Sequence, residues 1–309
     1  MELIRGLHLL SDIPSVITSG TFDGVHLGHK AILNSVIKIA KEKNLRSVAI
    51  TFNPHPRLVL NKDPHNLSLL NELEERLTLL RRSGVDVICL ADFTKEFSHQ
   101  TFQDYISFLY KKCGLRNLVV GYDHHLGHNR EGGPEKVREL CLTLGIGYDT
   151  VGPILIHNIA VSSTKIRHAL KQGSITIANE MLGYQYGFSA VVVPGDGLGR
   201  TLGFPTANLQ PVDPLKVIPG EGIYAVSVII HHREFPAMAY IGSRPTLSNS
   251  KRQIEVHIFD FNDNLYEQKL HVKFHQFIRS DTRFDSLNDL AQALQEDSRV
   301  IRQILSQVS

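Results

Sequence analysis

Two hydrophobic periods divide this chain. In the first half, short apolar runs alternate with stretches in which apolar residues recur every three or four positions. Val16-Ile17-Thr18 reads as a buried strand, and Ile32, Leu33, Val36, Ile37 and Ala40 then mark one face of a helix. The pattern continues with a strand from Ser47 to Phe52, a helix from Glu72 to Ser83 and a strand from Val85 to Leu90. A helix from Thr101 to Cys113 follows, with Phe102, Tyr105, Ile106 and Leu109 on one face. Leu118-Val119-Val120, a helix from Pro134 to Leu144, a strand from Gly147 to Val151 and a short helix from Ile175 to Leu182 complete the series. Such β/α alternation predicts a Rossmann-like parallel sheet covered by helices, with ligands beyond the C-terminal ends of the strands.

Near Gly183 the period changes to that of strands. Phe188 to Val193, Ile223 to His231, Phe235 to Ile241, Gln253 to Phe261 and Gln268 to Phe277 are separated by turn-forming Gly, Pro, Asn and Asp. Asn262-Asp263-Asn264 is one such turn. A helix from about Leu287 to Leu305 ends the chain. The expected fold class is α/β plus β: a sheet domain over residues 1–182, and a small antiparallel β-barrel with a terminal helix over 183–309.

Composition adds bounds. With 309 residues, 42% hydrophobic, the chain is long enough for two packed cores. Its net charge of +2 gives no nucleic-acid or membrane footprint. No run reaches the roughly eighteen apolar residues of a membrane span, and Cys89, Cys113 and Cys141 form no C-x-x-C pair. The expectation is a cytoplasmic protein with buried free thiols.

The candidate chemistry lies at loops. Gly20-Thr21-Phe22-Asp23-Gly24-Val25-His26-Leu27-Gly28-His29 joins the first strand to its helix. A helix N-terminus suits phosphate, Gly24 and Gly28 admit a ligand close to the backbone, and His26 and His29 share a helix face. Two imidazoles there can stabilise the charge that develops when a nucleotide α-phosphate is attacked, or they can simply cap the helix. Asn53-Pro54-His55-Pro56 lies on the same rim. So does the loop from Gly121 to Gly133, where His124, His125 and His128 are either nucleotide-side residues or a metal cluster. Ser163, Thr164, Lys165 and Arg167 start a helical run, a pattern that caps a helix and also suits polyphosphate.

In the second half, Gly195, Gly197, Gly199 and Gly203 surround Arg200 in a loop fit to wrap phosphate, without the G-K-[ST] of a P-loop. Thr206 and Asn208 share one side of an extended segment and offer hard oxygens suited to Mg²⁺. Glu255, a charge within the apolar run Gln253 to Ile258, is either a general base or an outward solvated residue.

Together these segments resemble the bacterial bifunctional riboflavin kinase/FMN adenylyltransferase (FAD synthetase) family over nearly the whole chain. His26-Leu27-Gly28-His29 is similar to the H-x-G-H signature of nucleotidyltransferases, and Val161 to Arg167 to an I-S-S-T-x-I-R motif. Gly199-Arg200-Thr201-Leu202-Gly203-Phe204-Pro205-Thr206-Ala207-Asn208 resembles the riboflavin kinase signature. The family's G-x-D-F-x-F-G-x-x-R-x-G loop is met at Gly121, Asp123, Gly127, Arg130 and Gly132, but His124 and Leu126 replace its phenylalanines, and Tyr240 stands where Asn is usual.

The resemblance implies an enzyme that phosphorylates riboflavin to FMN with ATP and Mg²⁺ in the mouth of the barrel, then adenylylates FMN to FAD at the sheet. It implies Gly20, Phe22, Asp23, Gly24, Gly28, Asp123, Ser163, Thr164 and Arg167 at one nucleotide site, with His26 and His29 at the α-phosphate. The glycine loop with Arg200 covers the second ATP, Thr206 and Asn208 hold Mg²⁺, and Glu255 is the base. Asn53, Pro54, His55, Pro56 and Arg279, with Phe284 on the same flap, border flavin. The implied partners are riboflavin, FMN, FAD and ATP.

Overall fold

The computed structural model describes residues 1–60, 67–195, 199, 203–243 and 252–307. By contacts the chain forms two units, Met1–Ser163 and Thr164–Ser309. In the first, β1 (Glu2–Arg5), β2 (Ser15–Ser19), α1 (Leu27–Lys43), β3 (Arg46–Asn53), α2 (Pro56–Val59), α3 (Leu73–Arg82) and β4 (Val87–Asp92) are followed by α4 (Phe102–Lys112), β5 (Leu115–Gly121), α5 (Pro134–Thr143) and β6 (Gly147–Val151). The strands form one parallel sheet in the order β1-β4-β3-β2-β5-β6. Both faces are covered, so neighbouring residues on a strand enter different cores. Ile17, Ile50, Cys89 and Leu118 pack on one side; Val16, Ala49, Ile88 and Val119 pack on the other.

This order fixes where a ligand can bind. From β2 the chain builds outward through β3 and β4 to one side, then returns to place β5 and β6 on the other. The C-terminal end of β2 is therefore the switch point, where the connections leave toward opposite faces and open a crevice. The Gly20–His29 turn stands at that end.

Several short elements were not anticipated, among them these. Strand β1 has only two apolar residues, and it pairs at the sheet edge with β4. Helix α2 is one turn that begins at Pro56, and β7 (Leu155–Ile156) pairs with β8 (Ile159–Ala160) as a hairpin of two-residue strands. None is long enough to show a period.

The second unit opens with α6, which spans Ser163–Lys171, and α7 (Ile175–Leu182). Asn179 joins α7 to the barrel: its side chain donates to the Phe274 carbonyl at 2.9 Å and accepts from the Tyr186 N–H at 2.7 Å. The strands β9 (Gly187–Val193), β10 (Ala207–Pro211), β11 (Gly222–Ile230), β12 (Arg233–Ser243), β13 (Arg252–Ile258) and β14 (Lys269–Arg279) close in the order β10-β13-β12-β11-β14-β9. Residues such as Ala190, Val226, Val256 and Phe274 are buried in the barrel wall. On the opposite side of the wall, Ile223, Ala225 and Met238 pack against Ile301 and Leu305 of α8 (Leu287–Ser306). Among the described residues, no helix is long and apolar enough to cross a membrane.

The three cysteines are free and buried. Burial raises the Cys89 thiol to about 12, and the Cys113 and Cys141 thiols to about 11, from an ordinary value of 9.0. Unfolded thiols lose their protons first, so stability is full below pH 9.0 and falls as pH rises toward 11. Urea unfolding near pH 10 should show a loss of about 1 kcal/mol per thiol relative to pH 8, and Cys89→Ala should flatten that fall.

Candidate functional site

The first site is built at the end of β2. Gly20 N–H still pairs with the Ile50 carbonyl at 3.0 Å, and then the chain turns away from the sheet. Phe22, Asp23, Val25 and His26 are all buried, so the turn is packed from beneath. His26 is the N-cap of α1, and its Nδ1 accepts the His29 N–H at 3.3 Å. That bond leaves the proton of a neutral His26 on Nε2. The His26 and His29 rings stack with centroids 3.7 Å apart, and Phe22 lies edge-on to His29 at 5.2 Å. A side chain at Gly28 would press on the His26 ring at 3.2 Å, so glycine is what lets the two imidazoles stack. Capping and stacking of the two imidazoles are therefore one arrangement.

Two groups hold the turn from outside. Asp23 is 2% exposed; its Oδ1 accepts the Leu70 and Asn71 N–H groups at 2.9 and 3.1 Å, and its carbonyl accepts the Ser163 hydroxyl at 2.8 Å. Asp23, expected at the nucleotide, thus has its carboxylate turned into the protein. Arg76 of α3 is 5% exposed and donates to the Thr21 carbonyl at 3.0 Å and the Phe52 carbonyl at 2.7 Å. Burial lowers its basicity, and nearby Asp23 offsets part of that. Sequence reasoning missed Arg76, because a charge on an amphipathic helix normally faces water.

The rest of the rim follows from strand order. Asn53 ends β3, His55 caps α2 by accepting the Arg57 N–H at 3.2 Å, and Pro56 is its first residue. Beneath them Phe52, Phe93, Phe97 and Tyr105 form a chain of aromatic contacts that the sequence did not single out. Asp123 is exposed at the end of β5. His125 Nδ1 meets the Asp123 carbonyl at 2.9 Å and His128 Nδ1 meets the Ser98 carbonyl at 3.1 Å. Among the described residues no group of three or more His, Cys, Asp or Glu is arranged to hold a metal ion. Thr164 and Arg167 lie on α6, in the second unit.

The second site is set by barrel register. Asn208 pairs with Glu255, Glu255 with Tyr240, Tyr240 with Ile223 and Ile223 with Arg279. Residues opposite one another in a ladder project to the same side, so these form one row across five strands. The row runs along the wall's outer side, shared with Met238, whereas a site in the barrel mouth was expected. Alternate positions such as Ala239 and Val256 take the other side, where a carboxylate would be desolvated. Thr206 Oγ1 donates to Glu255 Oε2 at 2.9 Å, bringing residues 49 apart together. A side chain at Gly195 would overlap the Asn208 amide, so the glycine loop begins against Asn208.

Gly199 carbonyl accepts the Phe204 N–H at 2.8 Å, closing the end of that loop; Gly203 is described, and Gly197 and Arg200 lie outside the described residues. Beside Thr206 is a cavity of about 460 Å³, lined by apolar residues such as Val192, Val256 and Phe261 and by the polar Asn262, Asp263 and Asn264. Arg279, expected at flavin, spends its donors inside the protein. It binds Asp297 of α8 through Nε and Nη2 at 2.8–3.1 Å, and reaches Ser280 and Thr282 through Nη1. Phe284 lies against its guanidinium at 5.5 Å. Tyr240 Oη donates to Asp281 at 2.8 Å, tying the same segment to the row.

Comparison with known proteins agrees with this division. Residues 10–165 match the FAD synthetase family and residues 182–305 the riboflavin kinase family. A bifunctional riboflavin kinase/FMN adenylyltransferase of Escherichia coli (strain K12) is 35% identical over 98% of this chain and 97% of its own. That of Bacillus subtilis (strain 168) is 30% identical over 94% and 93%. A crystal structure described as a macrolide-efflux protein from Streptococcus pneumoniae superposes with a TM-score of 0.87 at 30% identity, covering 97% of this chain and 98% of that one.

The imidazoles make the first unit acid-sensitive. Burial, then His26 and His124, hold His29 well below the usual 6.5; burial brings His124 down to about 4, opposed by Asp123. Both groups are depressed, so their contribution to stability is present above pH 6.5 and lost as pH falls toward 4. Urea unfolding across that window should show the loss, and His124→Phe should make it shallower.

Proposed function

The chain belongs to the bifunctional riboflavin kinase/FMN adenylyltransferase family, and from that premise we propose which residues carry each of its two reactions. The enzyme phosphorylates riboflavin to FMN with ATP, and joins FMN to AMP from a second ATP to give FAD and pyrophosphate. Residues 183–309 take the first step and residues 1–182 the second; the riboflavin kinase match beginning at 182 supports that division.

The observation that carries the kinase assignment is the Thr206–Glu255 hydrogen bond on the row shared with Asn208. Glu255 accepts the proton of the terminal ribityl hydroxyl as its oxygen attacks the γ-phosphate. Thr206 and Asn208 fit Mg²⁺: one hydroxyl and one amide oxygen, neutral and hard, stand on one side where phosphate oxygens can complete the coordination. Bound there, the ion neutralises phosphate charge. The cavity beside Thr206 takes the adenosine end of ATP, since its mixed lining offers apolar faces such as Val192 and Phe261 to a flat base and polar groups such as Asn262 and Asn264 to the base edge or ribose. Arg279 acts by anchoring the Ser280–Phe284 segment to α8, and so shapes the flavin side without direct contact.

At the sheet, His26 and His29 stabilise the α-phosphate during attack by the FMN phosphate, and the start of α1 adds its dipole. Gly20, Phe22, Gly24 and Gly28 shape the nucleotide side, and Asp23 acts through the turn. Asp123 supplies a carboxylate to the nucleotide or the flavin. Asn53, Pro54, His55 and Pro56 border the flavin. Ser163, Thr164 and Arg167 receive the departing pyrophosphate. The glycine loop with Arg200 covers the kinase ATP. Both reactions run in the cytoplasm.

Loss of one transition-state interaction costs about 3–4 kcal/mol, so substitutions at these groups should cut turnover by about 10² to 10³. Glu255→Gln should abolish FMN formation and leave FAD formation from supplied FMN intact, and His29→Ala should do the reverse. Product chromatography with each substrate reads both. A folded variant that loses both activities contradicts the two-site assignment.

A further inference from the structure

Position 124 departs from the family's phenylalanine. His124 follows directly on β5 in a tight turn, its N–H donating to the Gly121 carbonyl at 3.1 Å. Strand β5 pairs with β2, so this turn and the Gly20–His29 turn leave the sheet side by side. His26, His29 and His124 gather there, the first two stacked.

Two ring nitrogens in the group, His29 Nδ1 and His124 Nε2, are enclosed and have no hydrogen-bond partner among the described residues. A neutral imidazole has one nitrogen that must donate and one that must accept. Enclosing either without a partner costs about 1–3 kcal/mol, and buried polar groups are nearly always paired. Phenylalanine would fill the same space without that cost.

The charges around the cluster are defined. His29 faces His26 and His124, and both oppose its protonation. His124 faces Asp123, which favours a proton, and His125 and Arg130, which oppose it. His29 and His124 are therefore neutral near pH 7, each with one unused nitrogen. A phosphate oxygen relieves both deficits: it accepts from an imidazole N–H, and its charge stabilises a proton on the ring.

Building on the adenylyl-transfer reading above, we propose that His124 is a third phosphate-binding imidazole of the sheet site, donating from Nε2 to an α-phosphate oxygen of ATP beside His29, with one proton taken up from solvent as nucleotide binds.

The test compares wild type, His124→Phe and His124→Gln in FAD formation from supplied FMN at about pH 6 and about pH 8. Riboflavin phosphorylation in the same preparations checks folding. Phenylalanine keeps the packing and removes the donor; glutamine keeps an N–H but cannot be charged. His124→Phe should lower kcat/KM for ATP at least about tenfold at both pH values, the size expected for a hydrogen bond to a charged group, with KM for FMN unchanged. His124→Gln should recover most of that at pH 8 and little at pH 6, and riboflavin phosphorylation should be the same in all three. Equal kcat/KM for ATP in wild type and His124→Phe at both pH values overturns the proposal, as does a loss confined to KM for FMN. A folded wild type that phosphorylates riboflavin but makes no FAD overturns the adenylyl-transfer reading and this proposal together.

Discussion

One buried guanidinium sets the shape of the sheet site. Arg76 comes from a helix on one face of the sheet, yet it binds the carbonyls at the ends of two adjacent strands, Thr21 after β2 and Phe52 in β3. Strand ends leave carbonyls that no ladder can use, and burying them unpaired is costly. Arg76 satisfies two at once, and Thr51 adds a hydroxyl to the same Thr21 carbonyl at 3.1 Å. With Asp23 fixing the next residues onto the Leu70–Asn71 backbone, the turn is clamped on both sides, and His26 and His29 are presented from a rigid base. Phosphate chemistry needs this, because preorganised donors stabilise developing charge without first having to reorient.

The barrel site obtains the same rigidity from strand pairing. No single residue clamps Thr206, Asn208 and Glu255; the ladder between β10 and β13 does, since register decides which side chains stand opposite each other. A one-residue slip would turn Glu255 to the interior side and take Asn208 away from it. The two units thus fix their polar side chains by different means: a buried ion bound to strand ends, and a cross-strand row.

Much of this was legible in the sequence because the chemistry sits where the period breaks. The Gly20–His29 turn was placed on the sheet rim by the strand before it and the helix after it. Glu255 stood out as a charge in an alternating run, and alternation also told that it shares a side with Gln253 and His257. The hidden part depends on which way a polar side chain turns, and local pattern does not encode that. Asp23 and Arg279 look like ligand residues in a motif, yet the structure commits the first to a backbone loop and the second to Asp297. Arg76 looks like a solvated helix charge and is buried. Strands β1 and β10 are too short to show a period, and their existence rests on the partners β4 and β13.

The central claim is that FMN and FAD are made at two independent sites. Its most direct test is complementation between separate molecules: Glu255→Gln and His29→Ala proteins are supplied with riboflavin, ATP and Mg²⁺, singly and mixed. The account predicts no flavin nucleotide from the first alone, FMN without FAD from the second alone, and FAD from the mixture. A mixture that accumulates FMN and makes no FAD, although the Glu255→Gln protein converts supplied FMN, would contradict it.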